Sequence, residues 1–290
     1  MGALQNKIDF SVIVTVHNAN PNGDPLNGNR PRETDEGFGE ISDVCIKRKI
    51  RNRLQDMGER IFVQSDDRCD DGFGSLRIRA EENDKLKALG KKPDRNQYIK
   101  TACNEWIDVR SFGQVFAFSG DSSDKGSSIP VRGPVSIHIA QTVSPIEIVS
   151  YKISSSVNNK IDVFKEGLDK NRLGDKHFVV FGLYVIHGSI NCQLAEKTGF
   201  TMEDADKIKN ALCTLFENDV SSARPEGSME VCRVYWWEHA SKMPKYSSAQ
   251  IHRSLKINLK EGIRVPKSFA DYQIELENLN GAEPEVIDLV

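Results

Sequence analysis

A period-two run near the start constrains this chain most: from Lys7 to His17, Ile8, Phe10, Val12, Val14 and Val16 alternate with Asp9, Ser11, Ile13, Thr15 and His17. Successive side chains of a strand point to opposite faces, so the run predicts a strand with one fully apolar face. Its other face is mixed, which predicts a sheet packed on helices on one side and free for a ligand on the other. Asn18 to Ile41 then holds NANPNGDPLNGNRPR, so dense in turn residues that it predicts a long loop of functional rather than connecting character. Ser42 is placed to cap a helix over Asp43 to Met57, in which Ile46, Ile50, Leu54 and Met57 form one apolar stripe. Lys47, Arg48 and Arg51 lie off that stripe, as a solvated face or as a group meeting a run of phosphates.

The same two periods recur downstream. Val135, Ile137 and Ile139 alternate with Ser136, His138 and Ala140, and Phe178 to Ile190 is a second apolar strand. Thr201-Met202-Glu203-Asp204 is close to a capping box and opens a helix carrying Ala205, Ile208, Leu212, Leu215 and Phe216 on one face. Glu230 to His239 alternates again and sends Trp236 and Trp237 to opposite faces, as core and edge packing. The order βαββαβ predicts an α+β fold with a ferredoxin-like split βαβ unit, which is also the topology of the RNA-recognition fold. The palm so defined is 1–57, 134–143 and 178–239. An insertion, 58–133, has helical character at Asn83 to Leu89 and Asn96 to Ile107. An excursion from the central hairpin, 144–177, carries Lys152, Lys160, Lys165, Lys170, Arg172 and Lys176, and a C-terminal extension spans 240–290.

Composition excludes several classes. With 38% hydrophobic and 28% charged residues in 290, the chain is expected to fold as an ordinary globular protein. MGALQNKIDF has no signal-peptide core and lacks the Ser or Thr of a myristoylation motif, and no stretch nears the ~20 apolar residues of a membrane span. A cytoplasmic protein without membrane partners is the expectation. Six cysteines with no C-x-x-C, and six dispersed histidines, imply neither metal nor cofactor. The acidic turn SDDRCDDGFG fails as a calcium loop, because Arg68 or Cys69 falls where the third ligand is required. G-x-x-x-x-G-K-[ST], G-x-G-x-x-G and G-x-S-x-G are all absent. The net charge of −3 hides a strong asymmetry, since residues 271–290 alone carry six acids and no Lys or Arg, leaving +3 for the rest. Basic surface is available for a polyanion.

N-A-N-P-N-G-D-P at Asn18 to Pro25, followed by D-V-C-I-K-R-K-I-R at Asp43 to Arg51, resembles the backbone subunits of type I-C CRISPR Cascade complexes. D-V-R-S-F-G at Asp108 to Gly113, R-G-P-V at Arg132 to Val135, D-K-H at Asp175 to His177 and G-L-Y-V-I-H-G at Gly182 to Gly188 extend the resemblance. It implies a hand-shaped subunit with an RRM-like palm, a helical insertion and a protruding β-hairpin thumb, stacked head to tail along a guide RNA. The implied partners are that guide, target DNA through the guide, further copies of the chain, and the guide-end-capping, large and small Cascade subunits. No catalytic residue, metal or cofactor is implied. The implied RNA contacts are Asn18, Asn20, Asn22 and Arg30 in the loop and Lys47, Arg48 and Arg51 on the helix. Arg110, Arg132, Lys152, Arg172, Lys176 and His177 complete them. The loop Asn and Gly residues serve equally as positive-φ turn positions or as donors to phosphate and 2′-OH. His17 is a sheet-surface residue or a stacking platform, and His177 beside Lys176 has the better claim to contact RNA. A metal-dependent ribonuclease using Asp24 is the alternative, though no partner carboxylate stands at a fixed spacing.

Overall fold

In the computed structural model residues 2–90, 93–117, 128–154 and 173–290 are described. The strands are β1 (Ile8–Ala19), β2 (Gly23–Asp24), β3 (Arg30–Pro31), β4 (Glu40–Ile41), β5 (Gly113–Ala117), β6 (Ser128–Arg132) and β7 (Val135–Ile137). They continue as β8 (Ala140–Thr142), β9 (Ile148–Ser154), β10 (Leu173–Ile190), β11 (Met229–Glu238), β12 (Leu255–Leu259), β13 (Tyr272–Leu276) and β14 (Glu285–Asp288). The helices are α1 (Asp43–Asp56), α2 (Leu76–Glu81), α3 (Asp84–Lys87), α4 (Arg95–Glu105), α5 (Ile107–Phe112), α6 (Cys192–Thr198), α7 (Met202–Cys213) and α8 (Ser248–Ser254).

β1 lies between β10 and β11 and is antiparallel to both, while β7, β8 and β9 pair with the far edge of β10. Helix and sheet are thus combined in an α+β fold with an antiparallel sheet. The apolar face of β1 packs against Ile46, Ile50 and Leu54 of α1 and Ile208 and Leu212 of α7. Phe10 fixes this layer. Its ring stacks on Trp236 with centroids 5.4 Å apart, and a Cβ at the facing Gly188 would lie 2.2 Å from its Cζ. Only glycine permits that approach. Ser42 caps α1 by accepting from the Cys45 N–H, and Thr201 and Asp204 complete a capping box on α7, as the sequence predicts. Three details differ. Met57 follows the last turn of α1 and is 38% exposed, so it is not part of the stripe. The strand expected over Val135 to Ala140 is two short strands with Ile139 turned outward between them. The palm boundary expected between residues 177 and 178 falls inside the unbroken 18-residue β10.

The mixed face of the sheet is covered, not free for a ligand. Ile13, Phe181, Leu183, Tyr235 and Trp237 on that face pack against Ile251 of α8, Leu255 of β12 and Tyr272 of β13, all buried. The extension 240–290 is therefore a roof. Asp9 and Ser11 of β1 do not face water but distant partners: Ser11 Oγ lies 2.7 Å from His187 Nδ1, and Asp9 lies 2.7 Å from His239 Nε2. His187 also stacks on His252 of α8 at 4.5 Å. Burial first, then the neighbouring His252 and His138 imidazoles, push the His187 pKa down to about 3, so the seam holds a neutral ring at neutral pH. Trp236 and Trp237 do point to opposite faces, each into an apolar layer. The acidic end is held too: β14 pairs with β11, Arg233 pairs with Asp288, and Lys209 Nζ lies 3.0 Å from Glu285.

The insertion has an apolar cluster of its own, in which Phe62, Tyr98, Trp106, Phe116 and Val131 are buried together. Its attachment to α1 runs through Asp108, which is fully buried. One carboxylate oxygen accepts from the Phe62 N–H at 2.7 Å, and the other from the Val63 N–H and Arg51 Nε, both at 3.0 Å. Arg51 also lies over the Phe112 ring, and Arg48 donates to the Val63 carbonyl at 2.6 Å. Two of the three cations expected to be a free basic face are thus structural. Asp108→Ala leaves a guanidinium and two buried N–H groups without an acceptor, and is expected to lower stability by about 3–5 kcal/mol. Asp108→Asn, which keeps an acceptor oxygen, is expected to lose less. Urea unfolding of both variants measures the difference, and an Asp108→Ala midpoint equal to that of the parent chain would contradict this role.

Candidate nucleic-acid interface

The Asn- and Gly-rich loop is built by its own side chains. Asp24 accepts from the Leu26 N–H at 3.2 Å and pairs with Arg32 Nη2 at 3.4 Å, closing a short turn. Gly23 and Asp24 form a two-residue ladder with Pro31 and Arg30. A Cβ at Gly23 would lie 2.9 Å from the Asn29 carbonyl oxygen, so the ladder needs glycine there. Asn20 is buried and donates to that same carbonyl at 2.6 Å. Asn22 accepts from the Ser42 N–H at 2.9 Å and the Ser42 hydroxyl at 2.8 Å, which ties the loop to the start of α1. Two of the three asparagines expected to meet RNA therefore serve the loop itself. Asn18 does not: it is exposed, with φ 51°, beside the exposed His17.

This loop docks on the base of the β9–β10 hairpin. Arg30 Nη1 donates to Ser150 Oγ at 3.3 Å, and His177 Nδ1 lies 2.7 Å from the same hydroxyl. Lys152 pairs with Asp175 across the hairpin at 2.7 Å and holds that carboxyl below the usual range. Ser150 faces His177 and Lys152 faces Asp175, so alternation puts these four on one face of the hairpin. Lys176, paired with Tyr151, belongs to the opposite face. His17, Asn18, Arg30, Lys152 and His177 thus gather at one end of the sheet, where β1 finishes and β10 emerges from the core. Arg30 touches Glu33 only through contacts of 3.4 Å, and its side chain remains about one-third exposed. Such a group can exchange a long, partly solvated contact for a phosphate oxygen.

The remaining expected residues are dispersed. Lys47 pairs with Asp43 one turn away at 2.9 Å. Arg110 forms a two-point contact with buried Asp204, at 2.9 and 2.7 Å, and donates to the Cys103 carbonyl, so it joins α5 to α7 rather than facing a ligand. Arg132 lies at the other end of β10, beside α4 and α6. Arg172, with Lys160, Lys165 and Lys170, lies outside the described residues. Ser150, the hydroxyl on which loop and hairpin meet, was missed, since a lone serine in a strand carries no periodic or motif signal.

Comparison with known proteins bears on the family. The family model described as CRISPR-associated protein Cas7 matches residues 6–277. The CRISPR-associated protein Cas7 of Haloferax volcanii is 26% identical over 242 residues, spanning 75% of this chain and 66%, just under two-thirds, of that relative. A chain of a solved CRISPR RNA-guided surveillance complex, pre-nicking, shows 15% identity and a TM-score of 0.49, over 89% of this chain and 84% of that one. A second CRISPR RNA-guided surveillance complex gives 16% and 0.48, over 83% and 72%. The match along nearly the whole chain means that this protein belongs to the CRISPR-associated Cas7 family.

Proposed function

We propose that this chain is a guide-RNA-binding backbone subunit of a type I-C CRISPR Cascade, acting in the cytoplasm, with an RRM-like palm and without catalytic activity of its own. Copies stack head to tail along the guide, present it to target DNA, and meet the end-capping, large and small subunits. One observation carries the reading: in a Cas7-family chain, the Asn/Gly loop and the hairpin base converge on Ser150 and gather Arg30, Lys152, His177 and Asn18 at one end of the sheet. Cations and amide or imidazole donors of this kind suit phosphate and 2′-OH, which carry no base identity. The covered second face of the sheet supports a track at the strand ends in place of the open face such palms use elsewhere. The split order, with β1 between β10 and β11 and β7 beyond β10, supports the RRM-like assignment.

Arg30→Ala/Lys152→Ala/His177→Ala is expected to weaken single-stranded RNA binding alike for unrelated sequences. Two lost cations should flatten the slope of log affinity against log salt by roughly 1.4. A titration series of several RNAs in increasing salt reads both effects, and an unchanged slope would return these residues to loop support.

Labelled guide and complementary RNA incubated with magnesium or manganese are expected to stay intact, since Asp24 is committed to the Leu26 N–H and Arg32. Cleavage that disappears in Asp24→Ala would make the chain a ribonuclease.

The hairpin is expected to serve assembly, because Tyr151 and Ile153 stand 55% and 50% exposed on its arm. Removing the whole of 144–177 would break the buried Ser144–Tyr272 hydrogen bond of 2.9 Å and the Ile146 N–H bond to Gly37. A narrower excision avoids this: Tyr151 and Lys176 are register partners, so 152–175 can be replaced by Asn-Gly. That variant should melt like the parent chain yet fail, in light scattering, to form arrays on guide RNA. Arrays of parental size would make the hairpin a passive loop.

A further inference from the structure

A cleft of about 700 Å³ opens between the insertion and the palm, at the end of β10 away from the Asn/Gly loop. Arg95 and Lys100 of α4, Arg132 of β6 and Lys197 of α6 stand around it, over a floor that includes Ile99 and Val131. All four cations are exposed, and none makes a hydrogen bond or ion pair with any described residue. Lys47, Lys49, Arg51, Arg79 and Arg110, by contrast, are each paired with a carboxylate of the same chain. The one acid among the described lining residues, Glu196, is itself paired with Lys242. Four like charges thus share one concavity with no counter-charge paired to them among the described residues, which focuses a positive potential there.

The lining also selects among anions. The cations come from three separate elements, α4, β6 and α6. Among the described residues no aromatic side chain lines the cleft, so they offer no platform on which a base could stack. Asn96 and Asn104 add polar side chains on the same wall. The acidic end of the chain is not a matching occupant, because Glu285 and Asp288 are already engaged by Lys209 and Arg233. The antiparallel pairing of Val135 with Ile190 places the cleft beside the C-terminal end of β10, whereas His177 lies near its other end. Thirteen residues of extended strand separate the two, on the order of 40 Å.

We infer that this cleft binds the phosphodiester backbone of a single polynucleotide strand, separately from the strand held at the Asn/Gly loop. Contact is with phosphates, bases face outward, and binding is independent of sequence and of sugar.

The test uses the full chain, free and saturated with unlabelled guide RNA, with fluorescent dT20 and U20 as probes over a salt series. The guide-saturated parent is expected to bind both probes, within about threefold of each other. Arg95→Gln/Lys100→Gln/Arg132→Gln/Lys197→Gln should weaken probe binding at least tenfold at low salt and flatten the salt slope by about 3, while guide RNA binding stays within twofold. Lys100→Gln/Lys197→Gln, two exposed positions that leave the fold untouched, should flatten it by about half as much. Probe binding equal to the parent's in both variants overturns the inference. So does a guide-saturated parent that binds no probe, a preference above tenfold for one sugar, or an equal loss of guide RNA, which would make the cleft part of the guide track. Should the chain bind no guide at all, the free protein still reads the cleft, so failure of the proposed function and failure of this site are told apart.

Discussion

β1 is hydrogen-bonded along both edges and covered on both faces, and the rest of the molecule is arranged around that fact. Ile8, Phe10, Val12, Ile13, Val14 and Val16 all have no exposed surface, so the strand has no side left from which to meet a ligand. What it offers is its ends. At one end, His17 and Asn18 emerge beside the docked loop, and β10 leaves the core to become the arm of a hairpin. At the other, β7, α6 and the insertion meet around a cleft of unpaired cations.

Two groups of cations in this chain look alike in the sequence. Arg51, Arg79 and Arg110 have side chains less exposed than 20%, each paired with a carboxylate: Arg51 joins α1 to the insertion, Arg110 joins α5 to α7, and Arg79 ties the insertion to itself. An isolated buried charge of this kind would be strongly unfavourable; its partner converts it into a specific cross-link. Arg95, Lys100, Arg132 and Lys197 have no such partner among the described residues and are exposed. Their free energy is lowered when an anion arrives, whereas removing a partner from the first group only loosens the fold.

Local signals proved legible where the physics is local. The Ser42 cap and the Thr201–Asp204 box are fixed by hydrogen bonds spanning three residues, and both could be read from four-residue windows. Alternation gave the faces of Trp236 and Trp237 for the same reason. The open second face was misread because Asp9 and Ser11 look like surface residues. Their partners, His239 and His187, lie 230 and 176 residues away, and no window joins them. The basic helix was misread likewise: Lys47 and Arg51 are one turn apart, but Asp108, which claims Arg51, is 57 residues on. Of the loop, its length and glycines were legible, while the inward turn of Asn20 and Asn22 depends on the Asn29 carbonyl and Ser42.

The continuity of β10 has a mechanical consequence that a division into palm and thumb would hide. Residues from Val179 to Ile190 are locked by pairing with β1, and those from Leu173 to Phe178 pair only with β9. The hairpin arm is therefore a cantilever whose root is the core itself, with no hinge between them. Its direction is set by the register of β1, and Gly182 and Gly188, where a Cβ would approach Tyr184 to 2.9 Å and Phe10 to 2.2 Å, are where that register is closest packed. Arg30 and His177 brace the root through Ser150, so the loop contacts and the angle of the arm are mechanically one property. A ligand that draws Arg30 away from Ser150 would release one of the two braces, which couples occupancy of the loop to the freedom of the arm without any change in the buried sheet.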